Sequence, residues 1–370
     1  MKDLSVSPPV ADILRRYHFD RVPFEALRER LRGTTDPESL HQLTTAVLPP
    51  PEGCAARSPS PGDTEEGAFR AAGAAAIARG ELAAVVLAGG MATRFGSVVK
   101  ALATVDAEAR VSFLDLKLAD LARYEGAVET TLMSSFATHD ALAGELSARG
   151  LPWVGLCPQF VSLRVTPEGE AFLGGDGQPS LYAPGHGDLP DALAVAGVLE
   201  RLRRKGVRTV LMSNVDNVGA TVDPVLLGMH RASGARISVE LVEKVAGDRG
   251  GLPVLAGGRL VLAEAFRLPR GFPQDAFPLF NTNTLWIDLD ALEAPGAWTW
   301  CVARKTVEGR PAIQFERLVG ELTWWHSTHW IHVPRVGDAS RFLPVKDLAD
   351  LERYRPELQA VARARIPGVW

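Results

Sequence analysis

The chain has 370 residues, of which 46% are apolar, and a formal net charge of −4. That balance belongs to a globular protein with material for a sizeable core, and with no basic stripe interleaved with aromatics it excludes a nucleic-acid-binding surface. Cys54, Cys157 and Cys301 are too few and too widely spaced for a disulfide framework or a zinc site.

Residues 1–80 read as a helical N-terminal segment, with Val10, Ile13, Leu14 and Tyr17 and then Phe24, Leu27 and Leu31 at helical spacing. Within it PPPEGCAARSPSPGDTEE, residues 49–66, predicts an exposed, mobile loop. A larger domain spans residues 81–340, where the runs AAVVLAGG, TTLMSSF, TVLMSNVDN, RISVELVEK and LFNTNTLWIDL each precede a helical pattern or a glycine-containing loop. Such alternation predicts an α/β fold with a mainly parallel or mixed sheet covered by helices. Residues 341–370 form a short C-terminal segment. The opening MKDLSVSPPV has no signal-type apolar region, and no apolar stretch approaches bilayer length, so the expectation is a cytoplasmic protein without a membrane partner.

The first strand, Leu82–Leu87, runs into LAGGMATRFGSVVK. Gly89 and Gly90 open a loop at the strand's carboxyl end, where side-chain-free backbone can approach an anion and aim its N–H groups at it. The loop fits neither the P-loop nor the Gly-x-Gly-x-x-Gly pattern, yet it gathers Thr93, Arg94, Gly96 and Lys100 beside the two glycines. In SNVDN, Asn214 and Asp216 end a second apolar run; hard oxygen ligands there suit Mg²⁺, which needs one or two carboxylates and completes its shell with water and phosphate oxygens. The histidines of WWHSTHWIH, His326, His329 and His332, are three apart, which on a strand puts neighbours on opposite faces and argues against a metal site.

Several further blocks occur in order: SFLDLKLADL, MSSFATHD, PQF, APGHGDL, SNVDNVGATVDP, the pair Gly250-Gly251, LFNTNTLWIDL and RFLPVKDLADL. With them the chain, over roughly residues 80 to 355, resembles the UTP:glucose-1-phosphate uridylyltransferases, and more loosely the UDP-N-acetylhexosamine pyrophosphorylases. The resemblance implies a doubly wound mixed sheet of the nucleotide-diphospho-sugar transferase type, GT-A-like and Rossmann-like. It also implies a reaction that joins UTP to a sugar 1-phosphate, assisted by Mg²⁺, with release of pyrophosphate.

Carried over position by position, the resemblance implies that Arg94, Lys100 and Lys346 face the triphosphate. Leu87, Gly89, Gly90, Met133, Gln159, Gly185 and Asp216 would contact the nucleotide, with Asp216 also the metal ligand. His186, Asn214, Gly251, Glu264, Asn281 and Asn283 would contact the sugar phosphate. Relatives carry a proline before the first lysine and one more residue between it and the preceding glycine, where this chain has Val99. Rival readings are a pyrophosphorylase for galactose 1-phosphate or N-acetylglucosamine 1-phosphate, a glycosyltransferase, and a non-catalytic nucleotide-binding paralogue. A glycosyltransferase would use an Asp-x-Asp metal motif, but Asp288-Leu289-Asp290 reads as the capping turn of an aromatic strand. The chain ends shortly after RFLPVK without the C-terminal β-helical assembly domain of the larger eukaryotic enzymes, so the expectation is a monomer acting on UTP and a sugar 1-phosphate.

Overall fold

Leu82–Leu87 forms the expected strand and lies inside an eight-stranded sheet. The computed structural model describes residues 6–92, 98–106, 110–274 and 277–366. In chain order the sheet strands are β1 (Ala56–Arg57), β2 (Leu82–Leu87), β3 (Val128–Ser134), β4 (Val154–Pro158), β5 (Thr209–Asn214), β6 (Ile237–Glu243), β7 (Leu279–Asp288) and β8 (Thr328–His332). They lie in the order β1-β8-β6-β7-β5-β2-β3-β4. Only β7 runs antiparallel to its neighbours, β5 and β6, so the sheet is mixed.

The principal helices are α1 (Pro8–Arg16), α2 (Arg21–Arg32), α3 (Glu66–Ala78), α4 (Phe113–Ala122), α5 (Pro224–Ser233) and α6 (Arg355–Arg365). Alternation along β2 sends Ala84 and Val86 to one face, where they join Ile77 of α3, Leu114 of α4, Leu227 of α5 and Leu358 of α6. Ala83 and Val85 go to the other, against Leu189, Leu193, Leu199 and Leu202. Burial on both faces explains why the strand reads as an unbroken apolar run. Phe24, Leu27 and Leu31 of α2 pack on Leu163, Val165, Ile313 and Phe315, which fastens the helical preface beside the main sheet.

The proline-rich stretch is exposed over most of its length, as expected, but it is not all loop. Its centre is β1, which pairs in parallel with Ile331 and His332 of β8, and Ser58 N–H donates to His332 O at 2.9 Å. An outer strand offers unpaired backbone groups, and Ala56 and Arg57, free of proline themselves, can meet them. On β8, His332 Nε2 pairs with Glu243 Oε1 at 3.0 Å, and among the described residues no group of three or more His, Cys, Asp or Glu is placed to hold a metal. No described helix is long and apolar enough to cross a membrane.

Candidate active site

Strand register builds one rim. Asn214 of β5 lies opposite Leu87 of β2, Leu87 opposite Met133 of β3, and Met133 opposite Cys157 of β4, so four parallel strands end in one row. The residues just past these strand ends therefore converge: Gly89-Gly90 after β2, Gln159 after β4 and Asp216 after β5. The result is a cavity of about 340 Å³ lined by these residues together with Leu87, Met133, Lys100, Gly185, His186 and Asn214. It lies at the carboxyl ends of the parallel strands, where open α/β sheets take ligands.

The Gly89-Gly90 turn is held from behind by MSSFATHD. Thr138 Oγ1 donates to Ala88 O at 3.1 Å and Ser135 Oγ to Gly89 O at 2.7 Å. Gln159 N–H donates to Ser134 O at 2.9 Å, which brings its carboxamide against Gly89. A Cβ on Gly89 would come within 2.1 Å of Gln159 Nε2, so the glycine makes room for the amide. Lys100 N–H closes the loop on Gly90 O at 3.2 Å, and its ammonium pairs with the Asp216 carboxylate; both side chains are largely buried. Arg94 lies outside the described residues.

Gly185 has φ +103° and lies against Arg317 O, where any side chain would be strained as well as crowded. His186 Nδ1 accepts from Val319 N–H at 3.0 Å, which places the imidazole proton on Nε2. Burial holds His186 down at about 4, so at neutral pH it is an uncharged N–H donor.

A second, small cavity of about 10 Å³ is lined by Glu264, Asn281 and Asn283 together with Arg267 and Glu321. Residues 282–284 of β7 bulge opposite Glu240, and Asn283 takes φ +56°, a left-handed conformation that asparagine tolerates. The bulge lets Asn283 Nδ2 donate to Asn214 Oδ1 at 3.0 Å, joining the two cavities. Gly251 pairs with Glu264 in register and packs against Asn281. Burial, reinforced by Glu316 and opposed by Arg267, raises Glu264 to about 7. Lys346 is placed differently: Val345 N–H donates to Asp216 O at 3.1 Å, but the Lys346 side chain is exposed and outside the cavity lining.

Comparison with known proteins gives the family of the chain. The family model described as UTP--glucose-1-phosphate uridylyltransferase matches residues 71–363. The chain belongs to the UTP--glucose-1-phosphate uridylyltransferase family. Named members are 28% identical over 73% of this chain in Dictyostelium discoideum and 29% identical over 75% of it in Solanum tuberosum. The matched regions cover 57% and 62% of those relatives, so the chain spans about three-fifths of their length. Among solved structures, a UDP-glucose phosphorylase from Trypanosoma brucei superposes with a TM-score of 0.75 at 22% identity, covering 94% of this chain and 76% of that one. A UDP-N-acetylglucosamine pyrophosphorylase from the same organism gives 0.71 at 20% identity, covering 89% and 74%.

Within this uridylyltransferase-family fold, two buried arginines that hold segments leading to the cavity carry no motif signal of their own. Arg317 fixes the APGHGD loop: Nε donates to Asp188 Oδ1 at 3.0 Å and Nη1 to Asp191 Oδ2 at 2.6 Å, while its guanidinium stacks 5.0 Å from the Trp300 ring. Arg341, which opens RFLPVK, is paired with Glu240. The available signal was a lone charge in an apolar run, Glu240 in ISVELV, because a carboxylate carried into a core demands a partner.

Proposed function

We propose that the protein transfers the uridylyl group of UTP to a hexose 1-phosphate, with glucose 1-phosphate preferred, and releases pyrophosphate. A phosphate oxygen of the sugar 1-phosphate attacks the α-phosphorus, the bond from that phosphorus to the bridging oxygen of the β-phosphate breaks, and pyrophosphate departs in line. No protein nucleophile is needed; the chain has to bring two polyanions together and neutralise charge that grows on the leaving group.

The observation that carries this reading is the convergence of Gly89, Gly90, Lys100, Gln159, His186 and Asp216 on one cavity at the carboxyl end of the sheet, in a chain of this family. The Gly89-Gly90 amides cradle the nucleotide phosphates, Lys100 faces the triphosphate, and Lys346 swings in from its exposed position beside Asp216. Gln159 pairs with the imide edge of uracil, against Gly185 and the soft surface of Met133. His186 donates its Nε2–H to the sugar phosphate, and Glu264, Asn281, Asn283 and Gly251 read the sugar hydroxyls. Asp216 offers a carboxylate, a hard oxygen donor suited to Mg²⁺, whose charge would help neutralise the triphosphate, and Asn214 contacts the sugar phosphate.

The test is pyrophosphate release from UTP, ATP and dTTP across a panel of sugar 1-phosphates with Mg²⁺. The reading requires turnover with UTP and glucose 1-phosphate above every other pair. Equal turnover of ATP would remove Gln159 from its role, and preference for N-acetylglucosamine 1-phosphate would reassign the sugar.

A further inference from the structure

Residues 213–222 run from the last two residues of β5 toward α5 and carry Asn214 and Asp216 to the cavity. The backbone beyond them is tied from beneath by side chains from distant parts of the chain. Arg365 of α6 donates to Val218 O at 2.9 Å. Arg341 donates to Thr221 Oγ1 at 2.8 Å and Thr221 O at 3.0 Å. Asp120 of α4 accepts from Val222 N–H at 2.9 Å.

Lys117 of α4 does something the others do not. Its Nζ donates to Ala220 O at 2.6 Å and to Ser213 Oγ at 3.2 Å, so one group joins the exit of β5 to the far end of the loop. The side chain is buried, on a helix whose other buried residues are Phe113, Leu114, Leu116, Leu118 and Leu121 and the carboxylate Asp120. Neither of its two acceptors is a carboxylate. Packing alone would favour an apolar residue here, because carrying an amine into a core is costly unless its hydrogen bonds are met.

We propose that Lys117 is a positioning residue for the uridylyl-transfer site: by tying Ser213 to Ala220 it closes the base of the loop and fixes the direction in which Asn214 and Asp216 enter the cavity. The inference rests on the uridylyl-transfer reading for its kinetic consequence only; the tie itself is geometric. Burial pushes Lys117 down to about 7, with Arg365 and Arg341 acting the same way and Asp120 and Asp216 opposing. Protonated or neutral, the amine keeps at least two N–H donors, enough for both bonds.

Two variants test it. Lys117→Met keeps length and burial but removes the donors, and Ser213→Ala removes one end of the tie with the lysine left in place. Lys117→Met should lower kcat by about tenfold and raise the Mg²⁺ concentration for half-maximal rate several-fold, with the KM for glucose 1-phosphate within about twofold of wild type. Ser213→Ala should move the same quantities the same way by less, and it keeps the test open if Lys117→Met does not fold. Hydrogen exchange, read without substrates, should quicken at amides 214–222 in either folded variant and stay at the wild-type rate in β2 and β3. Unchanged exchange in that loop, or exchange quickened evenly across the sheet, would overturn the proposal. So would unchanged kcat and Mg²⁺ dependence in an active enzyme. A wild type that releases no pyrophosphate would refute the parent reading instead, with loop exchange still deciding the tie.

Discussion

Lys100 and Asp216, 116 positions apart in sequence, form an ion pair on the wall of the candidate active site. The two loops that meet there leave adjacent parallel strands, so pairing β2 with β5 also pairs an ammonium with a carboxylate. In the proposed reaction a phosphate takes the first and a metal ion the second, and the pair holds both where those partners would arrive.

Lys100→Ala therefore removes a charge aimed at the leaving pyrophosphate. Loss of such a preorganised charge costs about 3 kcal/mol or more in the transition state, a hundred-fold or greater loss of rate. UDP-glucose lacks the leaving phosphates, so its affinity, read by calorimetry, should stay within roughly tenfold of wild type. An equal loss of rate and affinity would make Lys100 a uniform binding contact.

Asp216→Ala should fold, because the loop backbone is tied independently by Arg341, Arg365 and Lys117. Turnover should fall at least a hundred-fold at every Mg²⁺ concentration, a cost of about 3 kcal/mol in the barrier. Retention of more than about a tenth of the wild-type rate would place the metal elsewhere.

Gly89→Ala tests the packing of the phosphate loop on the carboxamide. The new methyl would meet Gln159 Nε2, the movable end of a side chain, so the fold should survive while the amide shifts. UTP affinity should fall by about tenfold and discrimination against ATP should narrow, since each lost polar contact is worth about 1.4 kcal/mol or more. Fluorescence titration with both nucleotides checks this.

Glu264 gives a pH signature. Its folded value of about 7 lies above the ordinary 4.5 of a glutamate, so between those values the folded chain binds more protons than the unfolded one. The contribution of this residue to stability is then present at low pH and lost as pH rises through that window. Glu264→Gln, which cannot ionise, should gain in melting temperature over wild type as pH rises from about 4.5 to about 7. A constant difference between the two proteins across that range would show that Glu264 titrates normally.

Much of this was legible in sequence because it is local. The run Leu82–Leu87 shows its double burial in its composition, and the glycines and the Asn-x-Asp after two such runs mark strand ends. Parallel pairing then gathers separated blocks at one edge without further information. What stayed hidden depends on partners far along the chain. Ala56 and Arg57 look like loop until β8 offers them an edge. The left-handed Asn283 arises from a bulge that exists only when β7 meets β6. Lys117 reads as one more helical residue in FLDLKLADL until its reach to Ser213 and Ala220 is seen, and Glu240 announces a partner without naming Arg341.

The most direct measurement traces the fate of the α-phosphorus. The protein is incubated with UTP labelled at that atom, glucose 1-phosphate and Mg²⁺, and the products are separated. In-line attack by the sugar phosphate predicts that the label enters UDP-glucose, one equivalent for each pyrophosphate released, and that omitting glucose 1-phosphate stops both. Label recovered in UMP, or retained in UTP while the wild-type protein is folded and saturated with both substrates, would contradict the assignment of this cavity to uridylyl transfer.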